Sequence, residues 1–301
     1  MIPIGKDKNF IFYISKCITN PKVSLCEYIK NSYFSKAKNI NVYLTNKIVV
    51  KDDGYGFPLN KKGEPDLIKI INNVGTFRNS VKDKHLFGLG LLAFLSIGNK
   101  LTIKTRSLSE NNKFSHTWSM SWYAENLESS TPEIVEDFSG HGTEIIIEGL
   151  YKTSRFNAED FAYFVALDQP YIISSKKTKI IIEDGDKKIV VSPLKYKGNR
   201  FNLTIKNHEM GNIKIRMYFD IDNKLPLTIR KSGETIYTDI KDMIYLNKYP
   251  WNSNYISGYI DYEGADISLW DGFLEGKRLD YFLEQMGILE DKIIEMLKKI
   301  K

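Results

Sequence analysis

Four short pieces of this chain place acids, amides and glycines at expected helix starts and strand ends. All lie between Leu25 and Leu95, apart from a late echo at Gly140–Thr143. The first is Glu27-Tyr-Ile-Lys-Asn31 and the second Asp52-Asp-Gly54-Tyr-Gly56. The third joins Gly75-Thr76 to Phe87-Gly88-Leu-Gly90, and the fourth is Gly142-Thr143. Glycine permits tight turns and close backbone approach, so these pieces mark where the chain turns and where its backbone can touch a ligand. Each is a weak signal alone, and their order and spacing supply the constraint.

The surrounding periodicity gives the pieces a scaffold. Ser24 is a plausible N-cap with Glu27 three residues on, a capping-box spacing that by itself would account for Glu27. The helix then runs to about Lys36 or Ala37. Ile40–Leu44 and Lys47–Lys51 alternate as two strands of a hairpin that ends on Asp52. Leu67–Val74 reads as helix, Arg78–Lys84 as a charged loop, and Phe87–Leu95 as a glycine-led helix. Lys100–Arg106, Phe114–Tyr123 and Glu144–Glu148 read as further strands. Upstream, Asn9–Ile18 is apolar and reads as a strand or short helix. A boundary is expected near Gly149–Asn157, dividing the chain into residues 1–152 and 153–301. Beyond it the pattern predicts a helix at Ala158–Leu167, strands between Lys179 and Tyr262 with a turn at Asp184-Gly185-Asp186, and a closing helix at Arg278–Lys299. The expected class is α+β: two-layer α/β sandwiches with a largely antiparallel sheet in the first domain.

The residue types point to phosphate chemistry. Glu27 and Asn31 are four apart, hence on one helix face one turn apart. A carboxylate there can orient water while the amide oxygen beside it holds a divalent cation, the two tasks of nucleotide hydrolysis. Glycines opening a helix expose backbone N–H groups at its positive end, which suits anions. No G-x-x-x-x-G-K-[ST] sequence occurs, so this cradle has no Walker lysine.

Ser24-Leu-Cys-Glu27-Tyr-Ile-Lys-Asn31-Ser-Tyr-Phe-Ser-Lys-Ala37 resembles the N-box of the GHKL superfamily. That superfamily comprises gyrase-type topoisomerases, ninety-kilodalton heat-shock chaperones, histidine kinases and MutL-type repair ATPases. Asp52-Asp-Gly54-Tyr-Gly56 is similar to its D-x-G-x-G motif, Phe87-Gly88-Leu-Gly90-Leu91 to its second glycine box, and Gly142-Thr143 to the Gly-Thr before its last strand. The resemblance implies a Bergerat-type ATP-binding domain that uses ATP and Mg2+. Glu27 would be the general base and Asn31 the magnesium ligand. Asp52 would read the adenine amino group, with Thr143 supporting it through water. Gly54, Gly56, Gly75, Thr76, Phe87, Gly88 and Gly90 would line the nucleotide. Thr76–Phe87 would form the lid, from which Lys84 or Lys82 could reach phosphate. Phe34 departs from the family, which usually has Asp there.

In the second half, Thr228–Tyr237 and Ile256–Asp261 loosely resemble the transducer domain of the chaperone and MutL branches. The arginine usual there falls at Asp271, leaving Lys231, Lys277 and Arg278 as substitutes for a γ-phosphate cation. The activity so implied is Mg-dependent hydrolysis of ATP to ADP and phosphate, driving dimer closure of a chaperone-like or DNA-processing machine. The alternative is a nucleotide-gated, non-hydrolysing clamp or the ATPase subunit of a topoisomerase- or repair-like DNA assembly. The expected partners are ATP, a second copy through the N-terminal domain, and a DNA or protein client.

Composition agrees with a globular chain and narrows the setting. Of 301 residues, 42% are hydrophobic and 27% charged, enough for one large or two modest cores. The net charge of +6 contains no block of like charges that would make a basic arm. Cys17 and Cys26, with no signal peptide, read as reduced thiols, and the four histidines are scattered, so no zinc site is expected. No run of 18 apolar residues occurs; the expectation is a cytoplasmic protein with no membrane partner.

Overall fold

The computed structural model describes residues 2–3, 20–67, 89–109, 113–125, 128–136, 138–267 and 272–300. The chain divides into one unit of residues 1–166 and 172–192, and a second of residues 167–171 and 193–301.

The first unit is organised by helix α1 (Pro21–Phe34) and the strands beside it. Asn20 caps α1 by accepting from the Lys22 and Val23 amides, and Pro21 presets the first helical dihedral. The N-cap is therefore Asn20, not Ser24. The shift matters, because it moves Glu27 out of a capping box and into the second turn, where its carboxylate is not committed to the helix end. Ser24 instead meets Ser96 Oγ at 2.7 Å, and the Tyr28 hydroxyl donates to Leu91 O at 3.1 Å. These two bonds lace α1 to the 3₁₀ segment Leu89–Ser96, which replaces the α-helix expected from Phe87.

Strands β2 (Asn39–Leu44) and β3 (Ile48–Asp52) form the expected hairpin, with Ile40 opposite Asp52. β3 pairs with β8 (Gly142–Leu150), β8 with β4 (Gly98–Leu108), and β4 with β5 (Phe114–Tyr123), all antiparallel. The short strands β1 (Ile2–Pro3), β6 (Glu128–Ser129) and β7 (Glu133–Val135) extend the β5 side. Alternation delivers the core: Leu25 and Ile29 of α1, Phe94, and Ile40, Val42, Val50, Ile103 and Ile147 of the sheet are all buried.

The boundary differs from expectation. After α2 (Ala158–Asp168) and α3 (Pro170–Ser174), strand β9 (Lys179–Asp184) returns to pair in parallel with β2, and β10 (Lys187–Val190) adds to β9. The division thus falls after Ser192 rather than near residue 152. Composition carries no trace of this, because a strand's sequence does not say which sheet it joins.

In the second unit five strands run in the order β11 (Asn199–Ile205), β12 (Ile213–Phe219), β15 (Ile256–Tyr262), β13 (Leu227–Lys231), β14 (Glu234–Tyr237). Only β13–β15 is parallel. Helix α4 (Lys277–Lys298) belongs to this unit's core through Leu279, Phe282, Met286, Leu289, Ile293 and Leu297, spaced at three and four residues. Phe282 stacks on Tyr262 with ring centroids 5.5 Å apart. Phe282→Ala should destabilise the protein by about 3–5 kcal/mol, measured by denaturant unfolding; a loss of only a few tenths would show that α4 is not part of that core.

Candidate active site

The Asp52 carboxylate is the centre of the site. It is 6% exposed at the end of β3 and takes three donors: the Ser32 hydroxyl to Oδ2 at 2.8 Å, and the Gly54 and Thr143 amides to Oδ1 at 2.8 and 3.3 Å. Helix α1, the turn after β3 and the start of β8 therefore meet on one side chain. A carboxylate offers about four lone-pair sites, so one acceptor position remains for an incoming N–H. Burial raises the Asp52 pKa above 3.8, and the three hydrogen bonds oppose that rise. Thr143 supports Asp52 directly through its backbone amide.

The glycines make this convergence possible. Gly142 has φ +111°, and a Cβ there would overlap the Asp52 carbonyl. A Cβ at Gly54 would run into Ser35. The rest of the turn is tied to β4: the Phe57 amide donates to Thr105 Oγ1 at 3.2 Å, Ser107 Oγ to Phe57 O at 2.7 Å, and the Leu108 amide to Tyr55 O at 3.0 Å. Gly56 lies between these ties, against Thr105 and Ser107. Thr105 Oγ1 also donates to Gly142 O, joining turn and β8 through one buried hydroxyl. Asp53 looks the other way, accepting from the Lys38 and Asn39 amides and from Asn39 Nδ2, and these bonds hold it below the usual carboxylate range despite partial burial.

Glu27 and Asn31 both lie beside Gly90. A Cβ built on that glycine would stand 3.4 Å from Asn31 Nδ2 and 3.9 Å from Glu27 Oε2. The lacing of Ser24 and Tyr28 to Leu89–Ser96 produces this approach, since it presents the next face of α1 to the glycine. The Oε1 atom of Glu27 pairs with Lys30 Nζ at 2.7 Å, leaving Oε2 on the Gly90 side. Phe34, the departure from the family pattern, is 39% exposed at the end of α1 and stands edge-on to Tyr33.

Glu27, Asn31, Asp52, Gly54, Gly56, Gly90 and Thr143 are thus placed around α1 and the β3–β8 edge. Gly75, Thr76, Lys82, Lys84, Phe87 and Gly88 lie outside the described residues, as do Cys17, Asp271 and the apolar stretch Asn9–Ile18. Among the described residues no cluster of three His, Cys, Asp or Glu side chains could hold a metal, and no helix is long and apolar enough to cross a membrane. A groove of about 440 Å³ lined by Asn39, Asn41, Lys51, Asp53 and His141 touches the site only through Asp52. In the second unit Arg278 is committed to Gly264 O and to Asp266 at 3.2 Å.

Sequence reasoning missed Ser32 and Lys30. Ser32 was legible in principle, since it follows Asn31 directly on the same helix, but a buried serine has no signature until its acceptor is known.

Removing the Ser32 hydroxyl should raise the Asp52 pKa further, because a donor to the charged form is lost. Carboxyl titration by NMR of Ser32→Ala checks this, and an unchanged midpoint would contradict it. Since Asp52 keeps its proton to higher pH when folded than when unfolded, its contribution to stability is fully present below 3.8 and is lost as pH rises through the folded value.

Comparison with known proteins agrees with this geometry. Residues 18–143 match the family model described as histidine kinase-, DNA gyrase B- and HSP90-like ATPase. A stretch of 103 residues is 33% identical to the DNA mismatch repair protein MutL of Carboxydothermus hydrogenoformans. The match covers 32% of this chain and 18% of the length of that relative. Every described piece of the N-box, the D-x-G-x-G turn and the Gly-Thr pair falls inside or at the edge of the matched segment. Residues 18–143 are thus similar to the GHKL superfamily of ATPases.

Proposed function

We propose that this chain is a magnesium-dependent ATPase that binds adenine at Asp52 and hydrolyses ATP to ADP and phosphate beside Glu27. The observation that carries the reading is the pairing of two arrangements on one helix. Ser32 of α1 anchors the adenine-reading carboxylate, while Glu27 and Asn31 of the same helix flank Gly90. One rigid element thereby sets the distance from base recognition to phosphate.

In the reaction a water forms a bond to the γ-phosphorus as the bond from that phosphorus to the β–γ bridging oxygen breaks, giving ADP and inorganic phosphate. Glu27 orients the water and accepts its proton through Oε2, the oxygen not engaged by Lys30. Backbone amides near Gly90 face the phosphates, a role suited to N–H groups in an apolar segment. Asn31 fits a hard cation: magnesium takes one or two protein oxygens and completes its shell with phosphates and water rather than an all-protein cage. Bound there, magnesium would neutralise phosphate charge.

The same reading includes ATP-dependent pairing of two copies through the first unit, and it assigns nucleotide contacts to Gly75, Thr76, Lys84, Phe87 and Gly88. The second unit serves as a transducer-like domain, and the protein works in the cytoplasm. The mismatch-repair relative favours a DNA-processing setting over a chaperone-like one.

Glu27→Ala should reduce turnover by about 10²- to 10⁴-fold while leaving ATP affinity nearly unchanged, as read by steady-state phosphate release and calorimetric titration. Full turnover in this variant would refute the base assignment. Asp52→Asn should cost about 1.5–3 kcal/mol of ATP affinity. In wild type, affinity should weaken as pH falls through the raised pKa of Asp52, because protonation removes the acceptor. The asparagine variant should lack that dependence, and a retained one would contradict the role of Asp52.

A further inference from the structure

The segment Leu89–Ser96 runs as 3₁₀ helix for eight residues. Runs longer than about three or four residues are uncommon, because the hydrogen-bond geometry is poorer than in an α-helix. Its sequence, Leu-Gly-Leu-Leu-Ala-Phe-Leu-Ser, is apolar apart from the last residue, so support for its backbone comes from elsewhere in the chain. Hydroxyl groups provide it: Tyr28 donates to Leu91 O at 3.1 Å and Ser154 to Ser96 O at 3.4 Å.

Tyr28 is the tie nearest the candidate phosphate site. It follows Glu27 in the sequence, and its acceptor Leu91 follows Gly90. The side chain is 1% exposed, so the bond is made away from bulk water, where a directional contact counts for most. Burial pushes the Tyr28 hydroxyl above the usual phenol range, and the Phe94 amide opposes that rise. The hydroxyl therefore stays neutral and keeps its proton to donate. It lies between the Leu91 carbonyl and the Phe94 amide, the two groups that a 3₁₀ turn would otherwise join to each other. Leu92, Ala93 and Phe94 are also buried, but apolar burial is non-directional and does not by itself stop the segment from sliding along α1. Such a slide would matter at Gly90, whose backbone packs against Asn31 Nδ2 and Glu27 Oε2.

We propose that Tyr28 is a positioning residue for ATP hydrolysis, its hydroxyl setting where the Gly90 backbone stands relative to Glu27 and Asn31. The inference rests on the ATPase reading above and deepens it. Tyr28 acts through the Leu91 peptide, not by contact with the reacting atoms.

The test is Tyr28→Phe, which removes one oxygen and keeps the ring. Steady-state phosphate release should show kcat reduced about tenfold, within what a misplacement of about 1 Å can cost, while the calorimetric Kd for ATP changes by less than about threefold. Tyr28→Met, a second side chain without the hydroxyl and of adaptable shape, should behave in the same way. In a Glu27→Ala background Tyr28→Phe should cost less than about twofold, because the tie acts through the base. A general loosening of the fold would cost the same factor in both backgrounds. Without nucleotide, hydrogen exchange of the Leu89–Ser96 amides should be faster in Tyr28→Phe and that of β12 unchanged, and thermal unfolding identifies a variant that has failed to fold. A kcat for Tyr28→Phe equal to wild type, with Glu27→Ala strongly impaired, would overturn the inference and leave the ATPase reading standing. So would an equal loss in both backgrounds, a loss confined to ATP affinity, or unchanged exchange at Leu89–Ser96. Full turnover by Glu27→Ala, or none by wild type, would instead refute the ATPase reading and this role with it.

Discussion

A single buried carboxylate holds the first unit's site together. Asp52 accepts from a helix hydroxyl, from the amide of its own turn and from the amide that opens β8. An isolated carboxylate in that position would be expensive to keep charged, and the three donors offset the expense. They also fix geometry, because each comes from a different part of the chain. Remove the turn glycines and the donors cannot reach; remove Ser32 and α1 loses its polar tie to the strand edge.

From that anchor the rest of the site follows by helix geometry. Ser24, Glu27, Tyr28, Asn31 and Ser32 are spaced so that α1 makes three different contacts around its circumference. Ser24 and Tyr28 fasten it to Leu89–Ser96, Glu27 and Asn31 face Gly90, and Ser32 reaches Asp52. An apolar seam also buries Leu25 and Ile29. Few positions on the helix are left for a purely solvated role, which is why its hydrophobic pattern looks weak although it is well buried.

Much of this was legible in the sequence, and the exceptions have physical reasons. The Glu27–Asn31 spacing, the strand ending on Asp52, and the glycines at 54, 56, 90 and 142 were readable because local geometry needs those residues there. The helix start was misread, since both Asn20-Pro21 and Ser24 with Glu27 satisfy local capping rules and only tertiary bonds to Ser24 decide between them. The unit boundary was misplaced for a related reason: β9 is an ordinary apolar strand, and its parallel pairing with β2 is a non-local choice.

The most direct measurement of the central claim is a crystal structure of the chain with magnesium and a non-hydrolysable ATP analogue. The account predicts the adenine amino group on the free acceptor position of Asp52, the metal on the Asn31 amide oxygen at about 2.0–2.1 Å, and a water on Glu27 Oε2 in line with the γ-phosphate. A nucleotide seated away from Asp52, or a metal bound without Asn31, would contradict it.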